Sequence, residues 1–211
     1  MTSTQQLLEG AASLDLALSH ADAERLLALL DALDEWNARL NLTAIRARPQ
    51  QLTKHLLDSL SVHAFLHGGT IVDVGTGAGF PGLPLAFVNP ERHFTLLDAT
   101  AKKLAFVEHA VRLLALTNVE LVHARAEDWR PARRFDVVLT RALGPLERIV
   151  PWCGHLVADG GRLLAMKGRF PAAELEHVPS GWKLAAAHRL DVPGLDEERH
   201  LVELCRARER P

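Results

Sequence analysis

Hydrophobic positions along this chain follow two rhythms. In the first third, Leu26, Leu30, Leu33, Trp36 and Leu40 recur every three or four residues, which places them on one face of a helix. Ser19 precedes that run with Asp22 three positions later, the arrangement of a capping box. After Pro49 a second helix carries Leu52, Leu56, Leu60 and Ala64 on one side and Lys54, His55 and Asp58 on the other, and Gly68 and Gly69 stop it. The four-residue spacing of Lys54 and Asp58 predicts an ion pair within that helix. From Thr70 onward, short apolar runs alternate with helical stretches. Ile71–Val74, His93–Leu97, Val119–Val122, Phe135–Leu139 and Arg162–Met166 read as strands, and Pro84–Val88 and Ala101–Leu116 as helices. Strand and helix taking turns predict a mainly parallel sheet covered on both faces. Lys183–Leu190 and Leu201–Ala207 are two further strands with only Pro193 and Gly194 as punctuation between them, so an antiparallel edge is expected there. No repeat or linker divides the chain. The expectation is one α/β domain, residues 1–67 forming a helical extension packed on a core of residues 68–211.

Composition changes this picture little. A chain of 211 residues with 48% hydrophobic and 24% charged residues is that of an ordinary globular protein with room for a sizeable core. There is no long uncharged apolar run, so no membrane span is expected, and MTSTQQLLEG does not read as a signal peptide; with only two cysteines, a reducing cytoplasm is the expected setting. Cys153 and Cys205 are too few for a disulfide scaffold and lack metal-ligand spacing, so no metal is expected. Cys153 reads as a packing residue. A net charge of −2 excludes a generally basic nucleic-acid binder but not a local basic patch.

The candidate chemistry begins at 71-IVDVGTGAGFPGLPLAF-87, where an apolar strand ends in glycines at alternate positions. Ligands of open α/β sheets lie outside the carboxyl ends of the strands, and glycine there admits positive φ and close backbone approach. A dinucleotide fingerprint would need glycine where Phe80 stands, and the lysine of a phosphate-binding P-loop is absent. The pattern Gly75-x-Gly77-x-Gly79 after a strand carrying Asp73 instead resembles the first motif of class I S-adenosylmethionine-dependent methyltransferases. Asp98, ending the second strand, can accept two hydrogen bonds from a ribose diol; a helix N-cap is the plainer role open to it. After the third strand, 124-ARAEDW-129 offers Glu127 or Asp128 to an adenine amino group, with Ala126 or Glu127 supplying a backbone contact. These acids and the glycine loop are in the order expected for S-adenosylmethionine.

The acceptor is narrowed by what is missing. The Asn/Asp-Pro-Pro-aromatic run common in enzymes that methylate exocyclic amines is replaced by Thr140-Arg141-Ala142-Leu143, and Cys153 lies too far along to serve as a pyrimidine nucleophile. Ring-nitrogen and oxygen acceptors remain. Taken together, 36-WNARLNLTAI-45, 55-HLLDSL-60, 73-DVGTGAGFPGLPLA-86, 96-LLDATAKKLAFV-107, 125-RAED-128, 140-TRAL-143 and 166-MKG-168 resemble the bacterial 16S rRNA guanine-N7 methyltransferase family, also called glucose-inhibited division protein B. The likeness runs from about Trp36 to Gly168 and includes segments outside the glycine loop. It departs at Ala99-Thr100 and at Thr140, where serine is usual. The resemblance implies a Rossmann-like fold with an N-terminal helical addition. It also implies S-adenosylmethionine as cofactor, 16S rRNA as partner, and cofactor contacts at Gly75, Phe80, Ala126, Glu127 and Arg141, with Asp98, Ala99 and Thr100 at the ribose. Gly77 and Gly79 complete the loop. No general base is expected, because guanine N7 carries an in-plane lone pair at neutral pH.

Arg141 could hold the methionine carboxylate, a guanine O6 or a phosphate, and the resemblance favours the first. Lys102 and Lys103 fall in the first turn of a helix, where the dipole disfavours cations, so an RNA phosphate is a candidate partner. Lys167 and Arg169 follow the fifth strand on the same rim and are further RNA candidates, while Arg206, Arg208 and Arg210 read as solvated. Near-neutral charge suggests that rRNA is recognised when presented in the small ribosomal subunit, with naked RNA as the competing substrate. The sequence does not give the oligomeric state; a monomer is the expectation. Methylation of a small molecule or protein, and an RNA-binding factor without catalysis, are the competing readings.

Overall fold

The computed structural model describes residues 2–207. Four helices and two short turns make up the extension. Helix α1 spans Ser3–Ser13 and α2 spans His20–Leu40. Ser19 caps α2 as expected, its hydroxyl accepting from the Asp22 N–H while the Asp22 side chain accepts from the Ser19 N–H. The segment after Pro49 is not one regular helix. It runs as α3 (Arg48–Gln51), a π-helical turn over Leu52–Leu57, α4 (Asp58–Leu60) and a 3₁₀ turn at His63–Phe65. The wider π-turn moves residues four apart off a common face. The expected Lys54–Asp58 pair is accordingly absent: Lys54 reaches Glu197 at 2.6 Å, and Asp58 turns inward.

The core alternates as its pattern predicts. Strand β1 is Thr70–Val74, α5 Gly82–Val88, β2 His93–Asp98, α6 Ala101–Leu113, β3 Val119–His123 and β4 Phe135–Arg141. Then come α7 (Leu146–Cys153), a 3₁₀ turn at Gly154–Leu156, β5 (Val157–Lys167), α8 (Ala172–Glu176), β6 (Trp182–Arg189) and β7 (His200–Arg206). Helices α1, α7 and α8 carry no strong sequence signal. Helix α1 buries few side chains, α7 holds Pro151 in its last turn, and α8 is a short helix with no buried residue.

The sheet order is β3-β2-β1-β4-β5-β7-β6. The first five strands are parallel, and β7 pairs antiparallel with both β5 and β6, which is the predicted edge. Side chains alternate across the sheet, so Ile71, Leu96, Leu139 and Leu164 bury on one face with the extension, α5 and α6. Val72, Leu97, Val138 and Leu163 bury on the other face with α7. Cys153 belongs to this second layer, and burial pushes its thiol up to about 12, in keeping with a packing role.

The extension joins the core through packed side chains. A Cβ on Gly10 of α1 would lie 2.7 Å from Leu57, so α1 approaches the π-turn closely. Trp36 of α2 meets the edge of Phe106 of α6 with centroids 5.8 Å apart. A fully buried leucine contributes roughly 1.5–3 kcal/mol, and Leu26, Leu30 and Leu33 are all fully buried at this seam. No helix of the described residues is long and apolar enough to cross a membrane.

Candidate functional site

Strand order reverses between β1 and β4, which leave β1 with β2 on one side and β4 with β5 on the other. Crevices open at the carboxyl ends of strands at such a switch point. The glycine loop and Arg141 both start there, Val74 lying opposite Thr140 in the register.

The loop's shape explains its glycines. Gly75, Gly77 and Gly79 have φ of +72°, +61° and +84°, a region costly for residues with a Cβ. Its glycine amides are satisfied within the protein: Gly75 N–H, with Thr76 N–H, donates to Leu97 O, and Gly79 N–H, with Phe80 N–H, donates to Thr76 O. Gly77 N–H donates to Asp98 Oδ2 at 2.9 Å, and Thr100 N–H to Asp98 Oδ1 at 2.8 Å. The glycines therefore build a tight curl braced against β2. They do not present a row of free donors, which is the use the sequence suggests for them.

Asp73 braces the curl from below. It is fully buried, and its Oδ2 accepts from Thr76 Oγ1 at 2.7 Å and from Gly82 N–H at 2.9 Å. Its Oδ1 is buried with no partner among the described residues. Burial raises its pKa to about 6, against the pull of those hydrogen bonds and of the Arg141 charge.

Two cavities meet at this end of the sheet. One, of about 380 Å³, is lined by Gly75, Asp98, Ala99, Ala126, Glu127 and Arg141 among others. The second, of about 430 Å³, lies toward the extension and is lined by Ile45, His55, Asp58, Met166, Lys167 and Arg199 among others. Arg141, Ala142 and Leu143 line both and form the partition between them. Ala142 has a φ of +54°, unusual for alanine, so the partition holds a backbone conformation that local preferences oppose.

Arg141 Nη1 donates to Asp58 Oδ2 at 2.9 Å and to Lys54 O at 3.0 Å. Arg199 Nε donates to the other Asp58 oxygen at 3.0 Å. Asp58, nearly fully buried, thus binds two guanidinium groups from distant parts of the chain. His55, one helical turn before it, stacks on Phe80 with centroids 4.7 Å apart. Its Nε2 lies 3.1 Å from Thr43 Oγ1, and its Nδ1 is buried without a partner among the described residues. Burial first, and the Arg141 charge second, lower its pKa to about 4, so the ring is neutral near pH 7. Thr43 is held in turn by Asn37: Asn37 Nδ2 donates to Thr43 O and Thr43 N–H to Asn37 Oδ1, at 2.9 and 3.0 Å.

The sequence-chosen residues divide into groups. Gly75, Asp98, Ala99, Ala126, Glu127 and Arg141 face the first cavity, and Gly77 and Thr100 brace Asp98 behind it, whereas Gly79 and Phe80 line neither cavity and Phe80 is buried against His55. Lys103 also lines that cavity, whereas Lys102 is exposed in the first turn of α6. Lys167 is not free at the surface. Its ammonium donates to Gly144 O and Glu174 Oε2, both at 2.7 Å. Arg169 is exposed. Arg206 is not simply solvated, since it lies over the Trp182 ring at 5.2 Å and donates to Gly154 O. Arg208 and Arg210 lie outside the described residues. Arg199 was not singled out from sequence, and Ile45 only as the end of 36-WNARLNLTAI-45. Arg199 stands in no periodic or motif-like setting, and only the fold brings the two to Asp58 and Arg141.

The first cavity suits a nucleoside with a charged tail. It offers the Asp98 carboxylate, the apolar side chains of Leu97 and Ala126, and a guanidinium at the far wall. Among the described residues, the amide N–H groups of Ala126 and Glu127 have no protein acceptor.

The profile of the GidB family, described as rRNA small subunit methyltransferase G, matches residues 22–202. The ribosomal RNA small subunit methyltransferase G of Marinobacter nauticus is 46% identical over 202 residues, covering 96% of this chain and 94% of that protein. The protein of the same name from Coxiella burnetii is 44% identical over 201 residues, covering 95% and 97%. Among solved structures, the glycopeptide N-methyltransferase MtfA complexed with S-adenosyl-L-homocysteine superposes with a TM-score of 0.60 over 72% of this chain and 87% of its own, at 13% identity. The DhpI–SAH complex gives 0.59 over 86% and 98%, at 20% identity. The structural likenesses establish the class I methyltransferase fold; the sequence relatives carry the family.

Proposed function

The chain belongs to the GidB family of rRNA small subunit methyltransferase G, and from that premise we propose that it methylates N7 of a guanine in 16S rRNA, using S-adenosylmethionine. The observation that carries this reading is the pair of adjoining cavities divided only by Arg141–Leu143, one suited to a nucleoside donor and the other open for an acceptor base.

Bound S-adenosylmethionine supplies a methyl group on a sulfonium sulfur. Asp98, already fixed by the N–H groups of Gly77 and Thr100, would take the ribose hydroxyls. The Ala126 and Glu127 amides and the Glu127 carboxylate would take the adenine edge, and Arg141 the methionine carboxylate. Arg141 has Nη2 and Nε left over for this after Nη1 binds Asp58 and Lys54 O. Guanine N7 bears no proton, so no residue has to accept one at the attack. The residues of the second cavity must instead align the purine and exclude water. Alignment alone can lower a barrier by up to roughly 7–11 kcal/mol. Ile45, Ile149 and Met166 offer apolar surface for the purine faces, and the Asp58–Arg199 pair sets a charged edge.

The whole chain works as one domain in this reading, the extension building the acceptor side and the Rossmann-like core the donor side. The enzyme acts as a monomer in the cytoplasm on rRNA presented in the small subunit. Its modest net charge supports subunit-borne rRNA over free RNA as the substrate, because a weakly charged protein grips free RNA poorly. The test is methyl transfer from labelled S-adenosylmethionine to small subunits and to protein-free 16S transcript, with borohydride–aniline cleavage to locate N7-methylguanine. Label in RNA with cleavage at one guanine is expected, and stronger on subunits. Label that stays out of RNA, or enters it without cleavable sites, rejects the reading.

A further inference from the structure

Resting on that reading, we propose that Phe170 is a stacking platform for a nucleobase of the RNA strand that neighbours the guanine entering the second cavity. Phe170 is 46% exposed, and no other Phe or Trp among the described residues is classed with it as exposed. A single exposed apolar side chain is ordinary. Two further observations set this one apart.

The first is its place. Lys167 and Gly168 line the second cavity, so the ring stands two residues beyond the rim through which an acceptor base must pass. A strand that delivers one base to the cavity across this side lays its next nucleotide over the ring. Arg169, exposed beside the ring, supplies a cation for the backbone of the same strand.

The second is that the ring is held ready. The His200 imidazole meets Phe170 edge-on, with centroids 5.6 Å apart and planes at 67°. The same imidazole donates from Nδ1 to Gly168 O at 2.9 Å, fixing the loop on the other side of Arg169. Lys167 is tied to Gly144 and Glu174 before the loop, and Pro171 is buried after it. The loop is pinned at both ends, and nearly half of the Phe170 side chain stays in water. An edge-on neighbour leaves an aromatic face open for stacking. Single-stranded RNA is recognised by unstacked bases laid on such rings.

The test is steady-state methyl transfer to small subunits by full-length protein, with S-adenosylmethionine affinity measured separately by calorimetry. Phe170→Ala should raise KM for the RNA substrate by about ten-fold, the effect of losing one stacked base. It should leave kcat and cofactor affinity near the wild-type values. Phe170→Trp should restore KM, and Phe170→Leu, which keeps apolar bulk without a π-face, should not. Unchanged KM in Phe170→Ala, or full rescue by leucine, overturns the stacking role while leaving rRNA methylation standing. A wild-type protein that transfers no methyl to RNA overturns both. The side chain is exposed, so none of these variants depends on repacking the core.

Discussion

His55 stacks on Phe80 at 4.7 Å, joining the helical extension to the glycine loop. Phe80 follows the last of the alternating glycines, and His55 sits on the π-helical turn held by Thr43 and, through it, Asn37. The second cavity, which His55 lines, is thereby coupled to the glycine loop beside the first. The contact also ties 36-WNARLNLTAI-45, through Asn37 and Thr43, to a loop far from it in sequence.

That stack should make stability depend on acid. The folded-state pKa of His55 is lowered from 6.5 to about 4, so the unfolded chain takes up the proton first as pH falls. Its contribution is full above pH 6.5 and is lost on acidification toward 4, by on the order of 3 kcal/mol. Urea midpoints should show the wild type losing more stability than His55→Gln between about pH 7.5 and about pH 4.5. A gap between the two that is constant with pH would count against the neutral buried imidazole.

Asp73 should act with the opposite sign. Its folded-state pKa is raised from 3.8 to about 6, so the folded protein holds the proton longer than the unfolded chain. Stability from this group is greatest below pH 3.8 and falls as pH rises through 6. Asp73→Asn can keep an acceptor for Thr76 and Gly82 and removes the buried charge. Relative to wild type it should gain on the order of 3 kcal/mol between about pH 4 and about pH 7.5 in the same denaturation assay.

The glycines of the loop should not be equally replaceable. Gly77→Ala meets nothing closer than Gly75 O at 3.9 Å, so only its positive φ is penalised, at about 1–2 kcal/mol. Gly79→Ala bears the same penalty and also drives its methyl into the Leu83 side chain. It should be the more destabilising by about 1–3 kcal/mol, read from thermal or urea unfolding.

Asp58 should be costly to remove and cheaper to remove with a partner. Asp58→Ala leaves the guanidinium groups of Arg141 and Arg199 facing each other without their shared carboxylate, at a cost of about 3–5 kcal/mol. The double variant Asp58→Ala/Arg199→Ala should lose less than the sum of the single losses. A thermodynamic cycle measures this directly, and strict additivity would show that the two do not act together.

Asp98→Asn should weaken the donor side without unfolding it. One of the N–H groups of Gly77 and Thr100 would then face an amide NH₂ instead of a carboxylate oxygen, and the ribose would lose a charged acceptor. S-adenosylmethionine affinity should fall by about ten-fold or more by calorimetry, since hydrogen bonds to charged groups contribute about 1.5–3 kcal/mol.

The alternation of short apolar runs and helical stretches determined the parallel sheet, its antiparallel edge and the capped start of α2, because those features depend on spacing within a few residues. The glycine spacing and Asp98 likewise marked the end of the sheet where the first cavity opens, because one strand end and its loop build that wall. The tertiary structure decided the rest. The π-helical turn took Asp58 away from Lys54 and gave it to Arg141 and Arg199, partners 83 and 141 residues away in the chain. The folded chain also tied the Lys167 ammonium to Gly144 and Glu174 and turned the glycine amides onto the protein itself. Charges and buried donors choose partners by proximity in space, where desolvation makes each unmet group costly. Spacing along the chain carries no record of which distant segment will arrive.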